Sequence, residues 1–227
     1  MTEANPRRTQ ADRRERTRRA VLEAAARRLS THGYANLVLE RVANEAGYSR
    51  GAVYHMFANK EELALAVVRW VEETWEAEVG HAAAGEVDPV DALMTMAERH
   101  ALFCRREVAR VLLTLRVEFA GQDHPVGQAI AAIVDRLDGT CADLIAAGRA
   151  SGAIPPGPPP RHTAAAYTAI MEAVGIELAG QAPHDLELMG RAVRGVLGLP
   201  STPIVTDSPR GAGSAATPVR TDREVRR

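Results

Sequence analysis

Between residues 47 and 63 the chain reads Gly-Tyr-Ser-Arg-Gly-Ala-Val-Tyr-His-Met-Phe-Ala-Asn-Lys-Glu-Glu-Leu, a set of residue types suited to gripping nucleic acid. Arg50 can fork onto O6 and N7 of a guanine, and a small side chain such as Ala52 can meet a thymine methyl. Gly51 lets a helix start approach closely, while Tyr54 and His55, one turn further on, would reach flanking phosphates. Ser49 is placed to cap the helix that carries them. Asn59 caps a second helix, whose first residue is Lys60, the only lysine in the protein. Helix starts with polar groups in front of them suit phosphates and base edges in a DNA groove. Tyr48, Val53 and Phe57 read as packing, not contact.

Those residues need elements to position them. The spacing of Ala20, Val21, Ala24, Ala25 and Leu29 predicts a first helix over 13–31, stopped by Gly33. Leu39, Val42, Ala43 and Ala46 predict a short second helix that ends at Gly47, and Ser49 opens the third. Three short helices with a glycine turn before the last make a helix-turn-helix unit. Leu63, Val67, Trp70, Val71 and Trp75 outline a longer helix to Val79, followed by loop signals at 80–85 and 88–89. Further helices are predicted at 89–103, 105–120, 126–151, 161–180 and 184–198. Five prolines within 152–160 make a stiff connector. No alternating strand pattern occurs, so the fold class is all-α. The chain divides into a disordered basic arm (1–12), a helix-turn-helix domain (13–60), a helical ligand-binding and dimerisation domain (61–199) and a disordered tail (200–227).

Composition narrows the function classes. The 227 residues can bury a sizeable core. Residues 1–60 hold 12 basic against 6 acidic groups and residues 61–227 hold 16 against 23, balances of +6 and −7. A basic first quarter on an acidic body is the footprint of a nucleic-acid-facing end. No apolar run approaches the length of a membrane span and no signal-type opening is present, so neither a membrane nor a secreted protein is expected. Cys104 and Cys141 stand far apart, with no CxxC, which suggests neither disulfide nor zinc and fits a reducing, cytoplasmic location. No G-x-S-x-G, H-E-x-x-H or P-loop occurs, so no enzyme, catalytic residue, metal or cofactor is expected.

Residues 13–63 resemble the DNA-binding domain of the TetR family of bacterial transcriptional regulators. The resemblance rests on Ala24-Ala25, Leu29, Gly33-Tyr34, Val42-Ala43, Ala46-Gly47, Ser49-Arg50-Gly51, Val53-Tyr54-His55, Phe57 and Asn59-Lys60-Glu61-Glu62-Leu63. It implies a homodimer of all-helical subunits, each with a three-helix DNA reader and a larger domain that binds a small ligand. Carried over, the DNA-contacting positions are Ser49, Arg50, Gly51, Ala52, Tyr54, His55 and Lys60, with Glu40 on the second helix. The sequence departs from the family where the second helix opens: Val38 stands in place of a capping Ser or Thr, leaving Asn36 as the alternative cap. Glu40 either accepts from a cytosine amino group or is simply solvated. Met56 stands where a polar ring is common. The arginines at 7–8 and 13–19 either reach DNA or are solvated, and one of Arg18 and Arg19, both on the first helix, is expected to pack or pair within the domain.

In the C-terminal part, helices near 161–180 and 184–198 would build a four-helix dimer interface, with Gly175, Gly190 and Gly195 permitting close approach. A pocket is expected among the helices of 61–151. Its ligand-binding residues are Trp70, Trp75, Met96, Phe103 and Phe119, with His100, Arg116 and Tyr167 as polar handles; Met94, Leu112, Leu115 and Ile133 complete the lining. The 61–79 helix is the expected lever between pocket and DNA. The function expected is a ligand-responsive repressor, released from a palindromic double-stranded operator by a small-molecule effector. The alternative is a ligand-independent or architectural DNA-binding protein.

Overall fold

The computed structural model describes residues 10–200; the expectations for residues 1–9, Arg7 and Arg8 among them, and for 201–227 lie outside that range. The described chain is all-helical and contains no strand. Helix α1 (Gln10–His32) buries Val21, Leu22, Ala24, Ala25, Ala26 and Leu29 on one stripe. It starts three residues earlier than the apolar spacing predicts, because Gln, Ala and Asp extend a helix on propensity without needing a buried face. Gly33, at φ +70°, ends it. Helix α2 (Leu39–Ala46) ends at Gly47, whose φ of 76° only glycine adopts without strain. That turn aims α3 (Arg50–Met56), which Ser49 caps by accepting from the Ala52 amide.

Helix α4 (Lys60–Trp75) is capped by Asn59, which accepts from the Glu62 amide at 2.9 Å, while Glu62 accepts from Ala58 at 2.8 Å. This reciprocal pair fixes the start of α4 beside α3. The loop expected at 80–85 is absent. The helix runs on through a π-helical turn (Glu76–Gly80) into α5 (His81–Ala84). Buried Val79 and Ala83 hold this continuation, and a Cβ on Gly80 would meet only the movable carboxylate end of Glu76.

Asp88 caps α6 (Pro89–Cys104). The helix predicted at 105–120 is a short 3-10 turn (Glu107–Ala109) leading into α7 (Arg110–Glu118). Next come α8 (Pro125–Ala150), α9 (Pro160–Glu177) and α10 (His184–Leu197). The proline-rich connector before α9 is anchored by Ile154, which is buried against Gly148 and donates its amide to the Gly148 carbonyl at 2.9 Å. Helices α8, α9 and α10 pack in succession, with α6 against all three. Arg105 at the end of α6 forks onto the buried Asp185 of α10 at 2.8 and 3.1 Å. The guanidinium holds that carboxyl below the usual range. One hydrophobic cluster runs from α1 to α10, so the helix-turn-helix end and the helical body share a core.

Candidate nucleic-acid interface and ligand cavity

Helix α3 is only seven residues long, so its orientation depends on anchorage. Val53 and Phe57 are buried and seat it against α1 and α2, and the Arg18 guanidinium lies 5.1 Å from the centre of the Phe57 ring. The opposite face presents Arg50, Gly51, Tyr54 and His55 to solvent, with Ala52 half-buried beside them. A Cβ on Gly51 would meet only the Ser49 Oγ at 4.0 Å, so packing within the chain does not require glycine there. Arg50 sits 5.1 Å over the Tyr54 ring and pairs with Glu40. Lys60, at the first position of α4, lies 4.3 Å above the Tyr34 ring. The structure places Glu40 in the first turn of α2, Ser49, Arg50, Gly51, Ala52, Tyr54 and His55 on α3 and its cap, and Lys60 at the start of α4.

One local expectation is corrected. Asn36 does not cap α2: its amide donates to the His32 carbonyl at 2.9 Å, and α2 starts at Val38 with no side-chain cap. The acidic Glu40 in its first turn offsets part of that loss through the helix dipole. Arg18 and Arg19 are both engaged within the chain, Arg18 on Phe57 and Arg19 with Glu23 at 3.1 Å. Arg13, Arg14 and Arg16 stand exposed on α1.

A cavity of about 510 Å³ lies among α4 and α6 to α9. Trp75, Met96, His100, Phe103 and Arg116 line it, as do Leu112 and Ile133. Trp70, Phe119 and Tyr167 do not. Tyr167 is fully buried and its hydroxyl donates to the Leu93 carbonyl at 2.6 Å, so it is a core strut, not a handle. Phe119 stacks on His124 at 4.2 Å and meets Tyr34 edge-on at 5.1 Å, at the junction with the helix-turn-helix end. Trp70 packs against the core, as do Met94 and Leu115.

Sequence reasoning found Arg116 and His100 but missed Glu72, Arg136 and Glu172 in the lining. Arg116 pairs with Glu172 at 3.0 Å and Arg136 pairs with Glu72. Burial raises the Glu172 carboxyl, against the pull of Arg116. No spacing in the sequence links positions so far apart, so no local signal pointed to these pairings. His100 is half-buried in the wall of the cavity. The Trp75 indole N–H donates to its Nδ1 at 3.0 Å, which leaves the ring proton on Nε2, facing Cys104 Sγ at 3.2 Å. Burial lowers its pKa to about 4, so the ring is neutral near pH 7. Burial also pushes both the Cys104 and Cys141 thiols up to about 12, which disfavours the nucleophilic thiolate. Among the described residues no group of three or more His, Cys, Asp or Glu could hold a metal ion, and no helix is long and apolar enough to cross a membrane.

The cavity and the helix-turn-helix end share α7. Its Arg116 faces the cavity, while Glu118 accepts from the backbone amides of Tyr34 at 2.6 Å and Ala35 at 2.8 Å, just after α1. A carboxylate holding two amides is a strong, directional link.

Residues 21–67 match the model for bacterial regulatory proteins of the tetR family. Among curated proteins, the HTH-type transcriptional repressor AcnR of Corynebacterium diphtheriae is 35% identical over 98 residues, 43% of this chain and 50% of that protein. The A-factor receptor protein of Streptomyces griseus is 30% identical over 125 residues, 54% of this chain and 43% of that one. The matched region thus spans half or less of these relatives' length. Among solved structures, AibR in complex with isovaleryl coenzyme A and operator DNA superposes with a TM-score of 0.66 at 20% identity, over 80% of this chain and 96% of that one. At that identity the likeness is one of fold. Residues 21–67 thus match the tetR family model, and the chain as a whole shares the all-helical fold of that solved structure.

Proposed function

We propose that this TetR-family reader makes the chain a ligand-responsive transcriptional regulator, a repressor that leaves a palindromic operator when a small molecule fills the cavity. The observation that carries the reading is α3: two buried anchors on one face, Val53 and Phe57, and Arg50, Gly51, Tyr54 and His55 exposed on the other. Arg50 and Ala52 read bases, and Tyr54, His55 and Lys60 hold phosphates. The cavity supports the ligand half, since about 510 Å³ falls within the range of small-molecule sites. AibR, of like fold, holds both kinds of partner. Selection from a random duplex pool with the full chain tests the reading. An enriched inverted repeat is expected, with half-sites a helical turn or slightly more apart; no enrichment contradicts it. Under the ligand-independent alternative the same repeat is enriched, and a broad thermal-shift screen finds no binder.

Two copies would pair through α9 and α10. Ala165, Ala166, Ala169 and Ala173 on α9 and Leu188 and Gly195 on α10 stand exposed, and a Cβ on Gly195 would meet nothing within the chain. Gly190 is less open, with a Met94 methyl 3.8 Å from its Cβ position. Gly175 serves a different purpose from the one expected: its Cβ would lie 2.8 Å from Cys104 Sγ, so it accommodates an intrachain contact.

Two helices would carry the signal. The expected lever, α4, runs from Lys60 to the cavity residues Val71, Glu72 and Trp75. Helix α7 adds a second path through Glu118. A ligand that favours one setting of these helices shifts DNA affinity by its differential binding, and by nothing else. Glu118→Gln keeps the shape but leaves only one oxygen for the Tyr34 and Ala35 amides. Amide exchange at those two residues should speed up by about tenfold or more, corresponding to roughly 1.5 kcal/mol or more. Unchanged protection would show that the clamp is not held in solution.

A further inference from the structure

The reading of DNA proposed above, on which this inference rests, does not account for the engagement of Glu40 with Arg50. Glu40 Oε1 on α2 pairs with Arg50 Nη1 on α3, and the same guanidinium lies 5.1 Å over the Tyr54 ring. The two side chains are 50% and 67% exposed, so the pair adds little to folding. Glu40 also lies in the first turn of the side-chain-uncapped α2, which explains a carboxylate there but not its attachment to the base-reading arginine.

We infer that Glu40 is a specificity-determining and positioning residue, acting through Arg50 as a paired reader of adjacent guanine and cytosine. A guanidinium offers five N–H donors in a fixed fork, and a monodentate contact at Nη1 leaves the Nε–Nη2 edge for O6 and N7 of a guanine. The ring of Tyr54 beneath and Glu40 alongside limit the directions that edge can face. An ionised carboxylate only accepts, and the major-groove edge that offers it a donor without a neighbouring acceptor is that of cytosine, through N4. The free oxygen of Glu40 therefore favours a cytosine next to the guanine and repels a phosphate or an acceptor edge. On any other sequence Arg50 must leave Glu40 to reach a phosphate, and the carboxylate then stands unpaired beside the backbone. The pair works as a filter: it weakens indiscriminate phosphate binding by Arg50 and retains the guanine contact.

The test compares wild type and Glu40→Gln, both as full chains, in selection from a random duplex pool. Direct binding to the wild-type-enriched duplex and to a scrambled duplex across a salt series follows. Wild type should enrich adjacent G and C in each half-site. Glu40→Gln should keep the G, lose the C, and bind the scrambled duplex more tightly, cutting discrimination about tenfold. Its salt slope on the scrambled duplex should steepen by about 0.9, as Arg50 becomes free to neutralise one phosphate. A variant with lowered thermal stability but the same enriched sequence, discrimination and slope would overturn the proposal and leave Glu40 a helix-start residue. Wild type enriching no sequence would overturn the DNA-binding reading and this inference with it, whereas enrichment by both proteins without the G–C difference overturns the Glu40 assignment alone.

Discussion

Phe57→Ala is expected to cost about 3–5 kcal/mol and to remove DNA binding without unfolding the helical body. The ring is 1% exposed and sits just past the last turn of α3, its amide donating to the Val53 carbonyl at 2.9 Å. A helix of seven residues has too few internal hydrogen bonds to persist alone. Its angle to α2 is set by Gly47 at one end and by Val53 and Phe57 underneath. Truncating Phe57 opens a cavity in the small N-terminal part of the core and takes away the surface on which Arg18 lies. Denaturant unfolding with residue-resolved amide exchange checks this. Amides of α2 and α3 should lose protection while those of α8 and α9 keep theirs. A loss below about 1 kcal/mol, or an even loss of protection over the chain, would contradict it.

His100 should make the protein acid-labile. In the unfolded chain the imidazole titrates near its ordinary value of 6.5, but in the fold burial lowers it to about 4. Above 6.5 both states hold a neutral ring and no penalty exists. As pH falls from 6.5 toward 4, the unfolded state takes up a proton that the folded state refuses, so stability is lost across that window. At 1.36 kcal/mol per pKa unit the full loss is up to about 3 kcal/mol, less if water in the cavity solvates the charged ring. The physical obstacle is specific. Trp75 occupies Nδ1 as a donor, so a second proton on the ring would break that bond inside an enclosed wall. Urea unfolding of wild type and His100→Gln at several pH values isolates the term, because every other titrating group is common to both. Wild type should lose up to about 3 kcal/mol more than the variant between pH 7 and 4; parallel pH profiles would contradict the burial argument.

The parts of the fold legible in the sequence are those specified locally. Gly33, Gly47, Ser49, Asn59 and Asp88 mark helix ends through their own backbone or side-chain chemistry, and the structure places helix boundaries at each. Gly80 misled because glycine weakens a helix without forbidding one, and the burial of Val79 and Ala83 on either side outweighs that loss. Asn36 misled for a similar reason, since the His32 carbonyl one turn back competes for its amide. In the cavity, hydrophobicity alone could not separate Trp75, which faces the space, from Trp70, which packs beside it, although both lie on α4. Tyr167 shows the same limit. The Arg116–Glu172 pair and the Glu118 clamp join residues 56 or more positions apart, beyond any periodicity. The exposed face of α3 was legible because its chemistry and its anchors fall within nine consecutive positions, 49–57.

The central claim is that this face reads bases through Arg50 while Lys60 holds the backbone. The most direct measurement is the affinity of wild type, Arg50→Ala and Lys60→Ala for the enriched duplex and for single-base variants of it, over a salt series. Arg50→Ala should cost about 1–3 kcal/mol on the enriched duplex and flatten preference at one base pair in each half-site. Lys60→Ala should weaken every duplex alike and reduce the salt slope by about one unit. Equal losses on all duplexes for Arg50→Ala, together with an unchanged salt slope for Lys60→Ala, would contradict the account.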